Sequence, residues 1–342
     1  MPESAPTFTA GTASTTAPVL EVRDLSVSYG TPRGPLHAVD RVSFDLHAGE
    51  SLGVVGESGC GKSSMGRGLM QLLPPGAAVG GSVRLRGEQL IGASTSRLRR
   101  ARGEDVALVF QEPMTRLDPL MRVSEHFVGA IRAHRPKISK DEARDMARDA
   151  LAQMGIPRTR ADNFPHEFSG GMRQRIMIAL GIVLRPAVII ADEPTTALDV
   201  IVEAQILDLL DRLRADEQVG LMLITHNLGI VAETCDRVAV MYAGRIVEIG
   251  PVAEVFADPK HPYTQGLLAS VISVDTTELV SIDGTPPDLV DPPRGCRYRP
   301  RCPIKAEGSE RIDPALTPVG PDHEAACLLY EGAEIGHGKV PA

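Results

Sequence analysis

Gly56-Glu57-Ser58-Gly59-Cys60-Gly61-Lys62-Ser63 follows a short apolar run, Ser51 to Val55, and precedes a helical pattern from Ser64 to Leu73. Strand, glycine loop, helix is the order in which such a loop binds phosphate. Its glycines let backbone N–H groups turn inward on a triphosphate, and the helix N-terminus adds positive potential. Lys62 is placed to reach the outer phosphates and Ser63 to offer a hydroxyl to Mg²⁺. An α/β core built around a nucleotide site is the first expectation.

The surrounding composition narrows what such a core does. At 342 residues the chain can bury one large core with an appendage, or two domains. A formal charge of -8 argues against a general nucleic-acid coat. The longest apolar run, Ile176 to Leu184, is too short to cross a bilayer, so any membrane role is expected to be peripheral. Met1 to Pro18 is rich in Ser, Thr, Ala and Pro, with neither a basic start nor an apolar block, and reads as a disordered tail. Five scattered cysteines make no disulfide framework and suit a reducing cytoplasm.

Upstream of the loop, Leu20, Val22, Leu25, Val27 and Tyr29 alternate as a half-buried strand should, and Val39, Val42, Phe44 and Leu46 form a second such run. Tyr29 is a candidate to stack on a base, or a simple strand-end aromatic. Downstream come a small strand, Ser82 to Arg86, a basic helical run, Arg97 to Arg102, and a buried strand, Val106 to Phe110, that ends in Gln111. A polar residue at that position can reach Mg²⁺ or its water. Between Glu112 and Asp162 the strand pattern gives way to helices over Ser124 to Ala133 and Ser139 to Met154, the second opened by the capping pair Ser139 and Glu142.

Two further constellations carry chemistry. Ser169, Gly170 and Gly171 open an apolar helix and make a second anion-type site. Val188 to Ala191 is a buried strand that delivers Asp192 and Glu193 at its tip. The first carboxylate suits Mg²⁺, and the second suits polarising a water. An amphipathic helix follows Asp199 as far as Leu213. The strand Leu221 to Thr225 then presents His226, either as a capped structural residue or as a polar contact for a transferred phosphoryl group.

The loop (Walker A), Gln111 (Q-loop), Phe168 to Gln174 (signature), Val188 to Glu193 (Walker B), Thr196-Ala197-Leu198-Asp199 (D-loop) and Thr225-His226 (switch) occur in the order found in ABC ATPases, and the resemblance runs from about Val19 to Val255. Finer stretches resemble the ATPases of oligopeptide, dipeptide and nickel importers: Phe110 to Pro119, Pro165 to Arg175, and His261 to Leu268. This resemblance implies a RecA-like P-loop ATPase core with an antiparallel β subdomain and a helical subdomain inserted over about 113–170, then a C-terminal tail over 256–342. It implies that two such chains sandwich two ATP molecules, which would account for two phosphate-type sites on one chain. Carried onto these residues, it places Tyr29 on adenine and wraps Ser58, Gly59, Cys60, Gly61, Lys62, Ser63 and Ser64 round the phosphates. Ser63, Gln111 and Asp192 would serve Mg²⁺, Glu193 the attacking water, and His226 the γ-phosphate. Ser169, Gly170, Gly171 and Gln174 would touch ATP held by the partner, and Asp199 would signal across the interface.

The resemblance also implies partners: a second ABC ATPase subunit, two transmembrane permease subunits and an extracytoplasmic substrate-binding protein, with this chain peripheral on the cytoplasmic face of the membrane. The segment after Gln111, including Arg116 and Leu117, is the expected dock for a permease helix. Peptide import is the main reading. Nickel or sugar import, or a soluble ABC ATPase acting on DNA or ribosomes, are its alternatives. In the tail, Cys296, Cys302 and Cys327 lie near His323, and Ser309 stands where relatives carry a further cysteine. An iron-sulfur cluster, a Cys₃His zinc site and ordinary reduced thiols all remain open.

Overall fold

The computed structural model of the chain describes residues 17–109, 117–196, 198–270 and 281–330. The expected N-terminal tail lies almost wholly outside these residues. So do Gln111, Arg116, Ala197 and most of the stretch from Phe110 to Pro119.

Two sheets form the frame. β1 (Leu20–Thr31) and β2 (Gly34–Leu46) pair antiparallel, and β1 also pairs with β4 (Ala78–Leu85), whose other neighbour is β5 (Glu88–Gln89). The larger sheet has a parallel centre. β3 (Ser51–Val55) lies between β8 (Gly220–Ile224) and β9 (Arg237–Tyr242), and β7 (Val188–Asp192) lies between β8 and β6 (Val106–Val109).

Alternation along these strands decides which layer each residue joins. Val188, Ile190, Met222 and Ile224 face the cluster that holds β1 and the helix α1 (Lys62–Leu69). Ile189, Ala191, Leu221 and Leu223 face the opposite cluster, built with α3 (Val123–His134), α4 (Lys140–Gln153), α5 (Gly170–Ile182) and α6 (Val200–Glu217). Because both faces are covered, the central strands read as continuous apolar runs, as parallel strands usually do. The basic run Thr95–Arg100 forms a short helix, α2.

Helix α1 starts at Lys62 and stops at Leu69, earlier at both ends than the apolar pattern predicted. Gly61 caps it in a left-handed conformation (φ 109), so the helical N–H groups begin at the lysine itself. Helix α4 is capped as expected, Ser139 Oγ accepting the Glu142 N–H.

The C-terminal tail is continuous with the core. β10 (Arg245–Pro251) pairs with β9 on one side and with β12 (His323–Ala325) on the other, and β11 (Thr317–Gly320) completes the edge. This pairing covers an otherwise open strand. α7 (Leu228–Thr234), α8 (Val252–Ala257), α9 (Pro262–Ala269) and Tyr298 close a third apolar cluster over β9. No helix among the described residues is long and apolar enough to cross a membrane.

Candidate functional site

Parallel strands place their C-terminal ends, and the loops that follow, on one side of the sheet. Val55, Asp192 and Ile224 end three neighbouring strands, and the residues after them form the site. Ser63 Oγ donates to Asp192 Oδ1 at 2.9 Å, tying the glycine loop to the end of β7. Burial pushes the Asp192 carboxyl up from its ordinary value, while the Ser63 hydroxyl and the charges of Arg67 and Lys62 oppose the shift. A buried carboxylate beside a hydroxyl is a hard-oxygen pair that fits Mg²⁺, since a divalent cation would offset the burial cost.

Lys62 is buried, and its ammonium donates to the loop's own carbonyls, Gly56 O at 2.6 Å and Glu57 O at 3.1 Å. The lysine therefore holds the loop curled. Cys60 is buried, with its thiol pushed up by that burial, so its side chain is packing and its contribution to the loop is backbone. Ser58 and Gly59 are exposed at the loop's tip. Tyr29, half-buried on β1, donates from its hydroxyl to Ser64 Oγ at 3.1 Å, which sets the ring beside the loop.

Glu193 leaves the end of β7 with φ 47, a left-handed conformation that costs a non-glycine residue about 1 kcal/mol. The Glu193 N–H donates to Ile224 O at 2.8 Å and holds the turn. Its carboxylate is gripped at both oxygens: Thr196 Oγ1 donates to Oε2 at 2.9 Å, and His226 Nδ1 lies 3.3 Å from Oε1. Thr196 is a positioning residue that sequence reading did not single out. The only signal for it was its place in the D-loop.

The second anion-type site is built on a different layer. Ser169 caps α5, its hydroxyl accepting the Met172 N–H at 3.4 Å, and Ser169 and Gly170 are exposed. Gly171 is required by packing, since a Cβ there would lie 2.4 Å from Val202 Cγ1 on α6. Asp199 caps α6, accepting the Val202 N–H at 2.9 Å, so the signature meets the helix that follows the D-loop at Gly171 and Val202. Gln174 does not share this outward face. It is 1 % exposed, and its Nε2 has no hydrogen-bond partner among the described residues.

Leu117 also departs from expectation. It is buried in the helical layer's core with Phe127, whereas Leu120 stands 88 % exposed three residues on. An apolar side chain spent on the core cannot also dock a partner, and the large apolar residues exposed just after it among the described residues are Leu120 and Met121.

In the tail, the candidate metal set of Cys296, Cys302, Cys327 and His323 is not assembled among the described residues. Among the described residues no group of three or more His, Cys, Asp or Glu is placed to hold a metal ion. His323 instead pairs with buried Glu248, Nε2 to Oε1 at 2.8 Å, and burial pushes the Cys327 thiol up to about 11 and raises that of Cys296 as well. Cys302 packs beside them.

A family model described as ABC transporter matches residues 39–196, and one described as oligopeptide/dipeptide transporter, C-terminal region, matches 247–308. The dipeptide transport ATP-binding protein DppD of Bacillus subtilis is 46% identical over 319 residues, 92% of this chain and 95% of that protein. The oligopeptide transport ATP-binding protein OppD of Mycobacterium tuberculosis is 45% identical over 92% of this chain, which spans about half (52%) of that longer relative. A solved dimer of an ATP-binding cassette in a post-hydrolysis state, bound to ADP and Pi, superposes with a TM-score of 0.60 at 25% identity, covering 68% of this chain and 98% of that one.

Proposed function

Because this chain belongs to the ABC transporter family, and matches its oligopeptide/dipeptide branch over both core and tail, we propose that it is the ATP-hydrolysing subunit of a peptide importer. The observation that carries the hydrolytic part is the convergence of Lys62, Ser63, Asp192, Glu193 and His226 at the ends of three adjacent strands.

Lys62 and the loop N–H groups bind and orient the phosphates. Ser63 and Asp192 would hold Mg²⁺, which supplies charge neutralisation at the phosphate oxygens. Glu193, oriented by Thr196 and His226, accepts a hydrogen bond from the attacking water and aligns it in line with the bond to be broken. Tyr29 offers a face to the base.

Ser169 and Gly170, exposed on another layer, and Gly171 beside them serve the nucleotide of a second ATPase subunit, as the dimeric form of the similar cassette suggests. Two permease subunits, a substrate-binding protein outside the membrane and attachment at the cytoplasmic face follow from the importer role, with Leu120 at the permease contact. The test is hydrolysis measured against chain concentration. Specific activity should rise with concentration, and the chain should sediment with membranes only when its permeases are co-expressed. Activity per chain that is flat with concentration, or sedimentation without permeases, overturns the reading.

A further inference from the structure

Glu57 is an anomaly of charge. It places a carboxylate in the loop that receives a triphosphate, and like charges a few ångströms apart repel unless one is neutralised. Its neutralising partner comes from the far end of the chain. Arg301 donates from Nη1 to Glu57 Oε2 at 2.7 Å and from Nη2 to Glu57 Oε1 at 2.9 Å, a two-pronged pair of the kind that fixes both distance and orientation.

The guanidinium is itself held. Its Nε donates to Asp283 O at 2.8 Å, Nη2 to Ile282 O at 3.2 Å, and the Arg301 side chain is only 5% exposed. Tyr242, at the end of β9, lies against it. Tyr242, Tyr263 and Tyr298 pack with ring centroids 4.6 to 5.5 Å apart, joining core, α9 and tail in one aromatic cluster. Tyr263 makes a second attachment from the same cluster, its hydroxyl accepting the Glu57 N–H at 2.9 Å. Glu57 is thus held at its side chain by Arg301, at its N–H by Tyr263 and at its carbonyl by Lys62.

We propose that Arg301 is a positioning residue for the ATP site: it cancels the Glu57 charge and, with Tyr263, fixes the phosphate loop in its binding shape, so that the C-terminal tail tunes nucleotide affinity. This rests on the assignment of the loop to ATP. The consequence is that tail and nucleotide are linked. Whatever displaces the tail segment around Arg301 uncovers a carboxylate beside the phosphates and weakens ATP binding.

The experiment uses the full-length chain with Mg²⁺ and ATP, read by equilibrium binding and by steady-state hydrolysis, with far-UV circular dichroism and thermal melting as folding controls. R301M keeps the apolar stem and removes the charge. It should weaken ATP binding about tenfold, mainly as a higher KM at near-unchanged kcat, with the loss shrinking as salt rises. The double variant E57Q/R301M should regain affinity to within about threefold of the unaltered chain, because no bare carboxylate remains. R301K, which keeps the charge but not the fork, should fall between them. Unchanged KM in folded R301M, or an E57Q/R301M chain no better than R301M, overturns the proposal while leaving the ATP assignment intact. If R301M does not fold, the recovery of E57Q/R301M relative to R301K decides by the same criterion. Failure of the unaltered chain to bind ATP fells both.

Discussion

His226 Nδ1 lies 3.3 Å from Glu193 Oε1, although the two residues follow different strands of the parallel sheet. The contact exists because β7 and β8 are neighbours in register, Asp192 opposite Ile224, so the residues just beyond them meet. With Thr196 on its other oxygen, Glu193 is held by protein groups at both carboxylate oxygens.

Glu193→Gln should therefore keep ATP affinity within about twofold and lower kcat by about 10²-fold or more, since the groups that hold the side chain can still bond an amide. Parallel measurement of nucleotide binding and phosphate release checks this. Full hydrolysis by the variant would remove Glu193 from the mechanism.

Thr196→Val is a milder version of the same test. It removes the Thr196 hydroxyl that donates to Glu193 at nearly constant volume, so kcat should drop about five- to tenfold while ATP affinity holds. An unaltered kcat would mean that the carboxylate is oriented without Thr196.

Gly171→Ala would place a Cβ 2.4 Å from Val202 Cγ1 and push α5 from α6 where the signature meets the helix that follows the D-loop. The chain's own loop should bind ATP normally, but the concentration-dependent part of hydrolysis should fall about tenfold or more. Adding Val202→Ala clears the obstructing methyl and should restore most of it. Failure of that rescue, with folding intact, would locate the requirement for glycine elsewhere.

His261 is buried, its Nδ1 accepts the Tyr263 N–H at 3.0 Å, and burial pushes its pKa down to about 4. The imidazole is neutral in the folded chain and gains a proton more readily when unfolded. Its contribution is therefore present above its ordinary value of 6.5 and is lost as pH falls towards 4. Between pH 7 and pH 5 the stability lost through this group is about 2 kcal/mol. Denaturant melts at the two pH values should show it, and His261→Asn, which can keep the N-cap, should flatten the difference. An equal slope in the variant would assign the pH dependence to other groups.

The phosphate loop, the apolar strands and the acidic strand end were legible in the sequence because each is a local pattern: glycine spacing, uninterrupted apolar runs, a polar pair where a run stops. Order along the chain was enough to relate them to one another and to a family. What lay beyond reach depended on which surfaces meet. Nothing near Gln174 or Leu117 says that packing would bury them, and nothing near His323 says that its partner would be Glu248 rather than three thiols. Glu57 stands in the loop with no partner marked near it in the sequence, and Arg301 lies 244 residues away. Periodicity carries no information about a pair separated by that much chain. The sequence by itself determined a nucleotide-hydrolysing core and its motif residues. Only the tertiary structure decided that the tail closes over that core and neutralises its loop, because hydrogen bonds and charge pairs are settled by proximity in space and not by order along the chain.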